Sequence, residues 1–193
     1  MTFVVYVTGD IGAGKSTVTN IFKSLGAETL KADDVVAQLY ATDQDLIVQL
    51  KKLVGEECFP DGKLDKALLA QAIFSNSTLK QRVEKLVHPR VKAFTDAAIA
   101  ASKSPVFVYE IPIVTADTDL HRVDEVIIVT APDDVRIDRL VLRGMSRTDA
   151  EKRLMNQKAD SRRVRNFRTL NNDGSEQSLY SAASQLFEEF SRD

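Results

Sequence analysis

A three-layer α/β/α fold around a parallel β-sheet is the architecture that this 193-residue sequence predicts. Three observations predict it. Short apolar, β-rich runs alternate with stretches whose apolar residues recur at spacings of three and four. The first run, FVVYV, leads directly into the glycine-rich stretch TGDIGAGKST at 8–17. No internal repeat, low-complexity tract or linker breaks the alternation. Strands that alternate with helices form parallel sheets with both faces covered.

The elements follow in order. Phe3–Thr8 reads as a buried strand, and Lys15–Leu25 as a helix with Val18, Ile21, Phe22 and Leu25 on one face, closed by Gly26. Ala27–Leu30 is a short second strand, and helical spacing returns over Asp33–Tyr40 and Asp45–Val54. The turn PDGK at 60–63 opens a mainly helical middle, with Leu64–Phe74, then Thr78–Val87, then Arg90–Ala101. His88-Pro89 is read as a break between the last two, because proline bars continuation of a helix and suits the start of a new one. VFVYEI (106–111) and VDEVIIVT (123–130) are buried strands followed by helices over Asp133–Leu142 and Thr148–Ala159. Ser146 with Asp149 resembles a capping box. TLNNDGS (169–175) reads as a short strand and turn before a last helix, Glu176–Phe190.

Size and composition suit one domain, 1–193, with apolar residues at 44% and charged residues at 28%. The net charge of −2 gives the whole molecule no bias toward nucleic acid or an anionic membrane. Between Arg136 and Arg168, however, eleven Lys/Arg stand against four Asp/Glu. That segment reads either as a solvated basic face or as an anion clamp. Cys58 is the one cysteine, which excludes an intrachain disulfide and reads as a packing residue. The N-terminal apolar run is too short for a signal peptide, and no stretch approaches the ~20 apolar residues of a membrane span. A cytoplasmic protein is expected.

Gly9 to Ser16 fits G-x-x-x-x-G-K-[ST], and it lies between a predicted strand and a predicted helix, where that motif has a mechanism. Such a loop wraps a phosphate in backbone N–H groups, and the following helix adds its positive dipole end. Side chains at Gly12 and Gly14 would obstruct the wrapping. Gly12, Ala13, Gly14, Lys15, Ser16 and Thr17 are thus the expected ATP site, with Lys15 on the β- and γ-phosphates and the Ser16 hydroxyl on Mg²⁺. An LSGGQ-like signature and an N-K-x-D segment are both absent, which disfavours a transporter ATPase and a switch GTPase. A small P-loop kinase remains, with a helical acceptor subdomain at about 60–103 and a cationic helical lid at about 143–167.

Here the chain resembles the dephospho-CoA kinases. The likeness rests on TGDIGAGKS, LKADDVV, DGKLDKALLAQAIF, LVHPRV, EIPIV, RLVLR (139–143), Gln157 and NNDGS (171–175), in that order. It implies transfer of the ATP γ-phosphoryl to the ribose 3′-hydroxyl of dephospho-CoA. It also implies Asp33 as the base or orienting group for that hydroxyl, although Asp33 alone would read as a helix N-cap. Arg143 and Arg139, four residues apart, would stabilise charge in transfer, with a surface ion pair as the competing explanation. Glu110, at a strand end, would hold Mg²⁺ through water. Thr8, Gly9, Asp33 and His88 would line the acceptor site, His88 serving chiefly as a helix terminator. The chain departs from the family pattern at Asp10, at Lys31 in place of an Asp, and at Ala116 in place of a Glu. Another small-molecule P-loop kinase, or a nucleotide-binding regulator without kinase activity, stands as the alternative.

Overall fold

In the computed structural model, residues 2–112, 114, 118–120, 122–156 and 167–192 are described. Five strands, β1 (Phe3–Gly9), β2 (Glu28–Lys31), β3 (Val106–Glu110), β4 (Glu125–Thr130) and β5 (Arg168–Asn171), form one sheet in the order β2-β3-β1-β4-β5, parallel throughout. Val5 stands opposite Val108 of β3 and Glu125 of β4, which puts β1 at the centre. Continuous apolar runs make strands of this kind because both faces are covered. Val5, Val7, Val106, Val108, Ile127 and Val129 face a core shared with α1 (Lys15–Ser24) and α8 (Glu176–Phe190). Val4, Tyr6, Phe107, Tyr109 and Val126 are buried as well. Phe3 stacks on Phe190 of α8 at 4.8 Å, and Phe22 of α1 lies 6.4 Å from the same ring.

This sheet belongs to one of two compact units, residues 1–32 with 101–193; the other is residues 33–100. The first also holds α6 (Asp133–Leu142) and α7 (Arg147–Asn156), packed together through Leu140, Ala150 and Leu154. At the start of α7, Ser146 Oγ accepts the Asp149 N–H at 3.1 Å and donates to its carboxylate at 2.7 Å. The expected extension of this helix to Ala159 lies outside the described residues, as do Gln157 and most of the lid beyond Asn156.

The second unit contains α3 (Gln44–Val54) and α4 (Lys66–Phe74), together with most of α2 (Ala32–Thr42) and of α5 (Ser77–Ala101). Leu39, Leu46, Leu50, Phe59, Leu69, Val83 and Val87 are buried. Cys58 is buried too, and burial, with Glu57 and Asp65 nearby, pushes its thiol up, so it stays a neutral packing group. Asp43 caps α3 through the Leu46 N–H, and Asp65 caps α4 through those of Ala67 and Leu68.

The expected break at His88-Pro89 is corrected: α5 runs from Ser77 to Ala101 with Pro89 inside it. Proline removes one N–H and crowds the preceding turn. Beside it, Arg90 Nη1 donates to the Leu86 carbonyl at 2.9 Å, while Nε and Nη2 bind Asp43, the cap of α3, and Asp45 within it. The helix is thus held through its proline by tertiary contacts. His88 is an exposed residue within it and terminates nothing.

Candidate active site

The sequence places its glycine loop at the carboxyl end of the central strand, and α1 begins at Lys15 with Gly14 as its N-cap in a left-handed conformation (φ 99°). The N–H groups of Gly12, Gly14 and Ser16 donate to nothing among the described residues. Unpaired N–H groups at a helix N-terminus, with no acidic residue in the first turn, are an anion site. Lys15 Nζ lies over the loop opening, donating to the carbonyls of Gly9 at 2.7 Å and Asp10 at 3.3 Å. Thr8 is buried at the end of β1, and the Ala13 side chain points into the core, so Ala13 offers only backbone. Ser16 and Thr17 are exposed.

Side chains at Gly12 and Gly14 are barred for a reason the motif alone did not give. A Cβ at Gly12 would come within 2.8 Å of the Arg136 carbonyl, and one at Gly14 within 2.1 Å of Asn172 Nδ2. Both collisions involve residues from far along the chain. Arg136, 7% exposed, also reaches Asp10 (3.0 Å) and Asp133 (2.5 Å). Arg139 is turned to the same loop, with Nη1 at 3.4 and 3.3 Å from the carbonyls of Gly12 and Ala13. Its Nη2 binds the Asn172 carbonyl and side-chain oxygen at 2.9 and 3.2 Å. Arg143 does not share that placement: α6 ends at Leu142, and Arg143 is its exposed C-cap.

Ser16 and Glu110 come together. Ser16 Oγ donates to Glu110 Oε1 at 2.7 Å. Glu110 Oε2 is buried without a hydrogen bond and lies 3.9 Å from Lys31 Nζ. A hydroxyl beside an orphaned carboxylate oxygen fits a hard cation that takes oxygen ligands. No cluster of three or more His, Cys, Asp or Glu occurs among the described residues, so a cation here would share its shell with water or phosphate. Ala116 lies outside the described residues.

Asp33 and His88 belong to the second unit. Asp33 sits exposed in the first turn of α2, beyond the helix start at Ala32, so it is not the N-cap. Asn172, Arg136 and Lys31 were given no role by motif reading. Asn172 has a visible signal, since it lies in NNDGS (171–175), one of the segments that carry the resemblance.

A parallel sheet that delivers a G-x-x-x-x-G-K-S loop to its first helix defines a P-loop nucleotide-binding fold. A Thermus thermophilus protein of known structure, TT1252, is similar to it, with a TM-score of 0.83 at 29% identity over 97% of each chain. The dephospho-CoA kinase of Campylobacter jejuni shares the fold, with a TM-score of 0.70 at 22% identity over 100% of this chain and 98% of that one. The dephospho-CoA kinase of Corynebacterium diphtheriae is 30% identical over 97% of this chain and 96% of its own, and that of Corynebacterium jeikeium 34% identical over 77% and 78%. The dephospho-CoA kinase family model matches residues 3–178, and the chain belongs to that family. The family consists of ATP-dependent transferases that phosphorylate dephospho-CoA to coenzyme A.

Proposed function

We propose that this chain makes coenzyme A by transferring the γ-phosphoryl of ATP to the 3′-hydroxyl of the ribose of dephospho-CoA. The observation that carries the reading is the set of open N–H groups at Gly12, Gly14 and Ser16, beside Lys15 at the start of α1. These groups bind and align the phosphates, and Lys15 draws negative charge toward the β,γ-bridge as it builds up. As the acceptor oxygen bonds to phosphorus, the bond to the ADP oxygen breaks and Asp33 takes the hydroxyl proton. Ser16 and Glu110 would hold Mg²⁺, which when bound neutralises phosphate charge. Arg143, exposed and at a helix end, supplies a cation for the transferring oxygens. Thr8, Gly9 and His88 complete the acceptor site in this reading.

ADP release measured with and without dephospho-CoA, with Mg²⁺ and ATP present, tests it. Release that depends on dephospho-CoA, with coenzyme A as the product, is the expected result. ADP formed only with nucleoside monophosphates would sink the assignment.

A further inference from the structure

The glycine loop has a ligand face and a rear face, and the rear face is occupied. Ala13 O receives two donors from remote elements, Asn172 Nδ2 at 2.8 Å and Arg139 Nη1 at 3.3 Å. Asn172 is itself fixed: it is 7% exposed, its N–H donates to Thr130 O at 2.7 Å, and its side-chain oxygen accepts from Arg139. That network also sets its amide orientation, since only the NH₂ end can serve a carbonyl.

We propose that Asn172 and Arg139 are positioning residues that hold the loop in its anion-binding form from behind, through the Ala13 carbonyl. In a planar trans peptide, the carbonyl of one residue and the N–H of the next point in opposite directions. Tying the Ala13 carbonyl rearward therefore aims the Gly14 N–H forward, where it has no partner among the described residues. Gly14, at φ 99°, is a residue whose flanking peptides turn over easily, because no Cβ resists either orientation. A flip would strip the Ala13 carbonyl of both donors and leave the buried Asn172 amide unpaired, which opposes it. Asn172 also occupies the space that a side chain at Gly14 would need.

The inference rests on the loop binding a polyphosphate. Asn172→Asp keeps the shape and the acceptor for Arg139 but cannot donate to Ala13 O. Arg139→Met removes the other donor at a half-buried position, so it also serves if the first variant does not fold. Affinities are measured for Mg-ATP and, by competition against a fluorescent ATP analogue, for inorganic tripolyphosphate, with melting temperatures alongside. The expected result is a loss of about tenfold in each variant, equal for the two ligands, with melting nearly unchanged. Unchanged affinities would overturn the proposal. So would a loss confined to ATP, which would mean contact with the base instead. Failure of the wild-type protein to bind either ligand would defeat the kinase reading itself, a separate outcome.

Discussion

Arginines bind backbone carbonyls in two contrasting regions, Arg139 at the turn that feeds α1 and Arg90 in the middle of α5. At the turn, Arg139 takes the carbonyls of Gly12 and Ala13, while N–H groups on the other face stay open. In α5, Arg90 takes the Leu86 carbonyl beside Pro89 and anchors the helix to Asp43 and Asp45. The same chemistry thus has two outcomes. Where donors remain, a guanidinium on the carbonyls prepares a binding surface. In α5 the carbonyl left without a donor by Pro89 is that of Lys85, whereas Leu86 faces the backbone N–H of Arg90, so there the guanidinium only ties a helix to its neighbour.

The contrast is broken most forcefully at Lys15. Lys15→Ala should lower turnover by about 10²–10³ while leaving the melting temperature close to wild type, as steady-state kinetics and calorimetry would show. Arg90→Ala should do the reverse: a loss of about 1–3 kcal/mol in urea unfolding, with ATP affinity unchanged. Pro89→Ala should raise stability by about 1–2 kcal/mol, because it restores an N–H and relieves crowding in the preceding turn.

The smallest effect concerns a guanidinium that binds side chains alone. Arg168 reaches Glu125 and forks onto Glu189, and its hydrogen bonds hold the Glu189 carboxyl below the usual range. A depressed carboxyl contributes its stability above its unfolded pKa and loses it as pH falls through the folded one. Arg168→Met should therefore melt lower than wild type by no more than about 4 °C at neutral pH. The difference should persist down to about pH 5 and shrink below about pH 4. A gap that grows in acid would contradict this account.

Local signals carried much of this structure into the sequence. FVVYV, the glycines and the spacing of Val18, Ile21 and Phe22 identify β1, the loop and α1 because each acts within a few residues. The second strand lay one residue later than its apolar content indicated, at Glu28–Lys31, which is partly exposed for most of its length. Pro89 misled because its rule is also local, whereas the contacts that keep α5 whole come from α3, more than forty residues earlier. Strand order was not legible, since parallel neighbours such as β1 and β3 are joined by no short turn. The rear support of the loop was hidden for the same reason: Asn172 and Ala13 are 159 residues apart. Ser16 and Glu110 could each be named, but their meeting required the sheet.

The stacking of Phe190 on Phe3 has a consequence for biosynthesis. The first strand leaves the ribosome long before α8, so its oily face waits uncovered until translation has reached the final helix. Nascent chains of this protein must therefore be shielded or stay unassembled until late. A premature stop before residue 176 would expose Phe22, Val5 and Val108 together and direct the product toward aggregation.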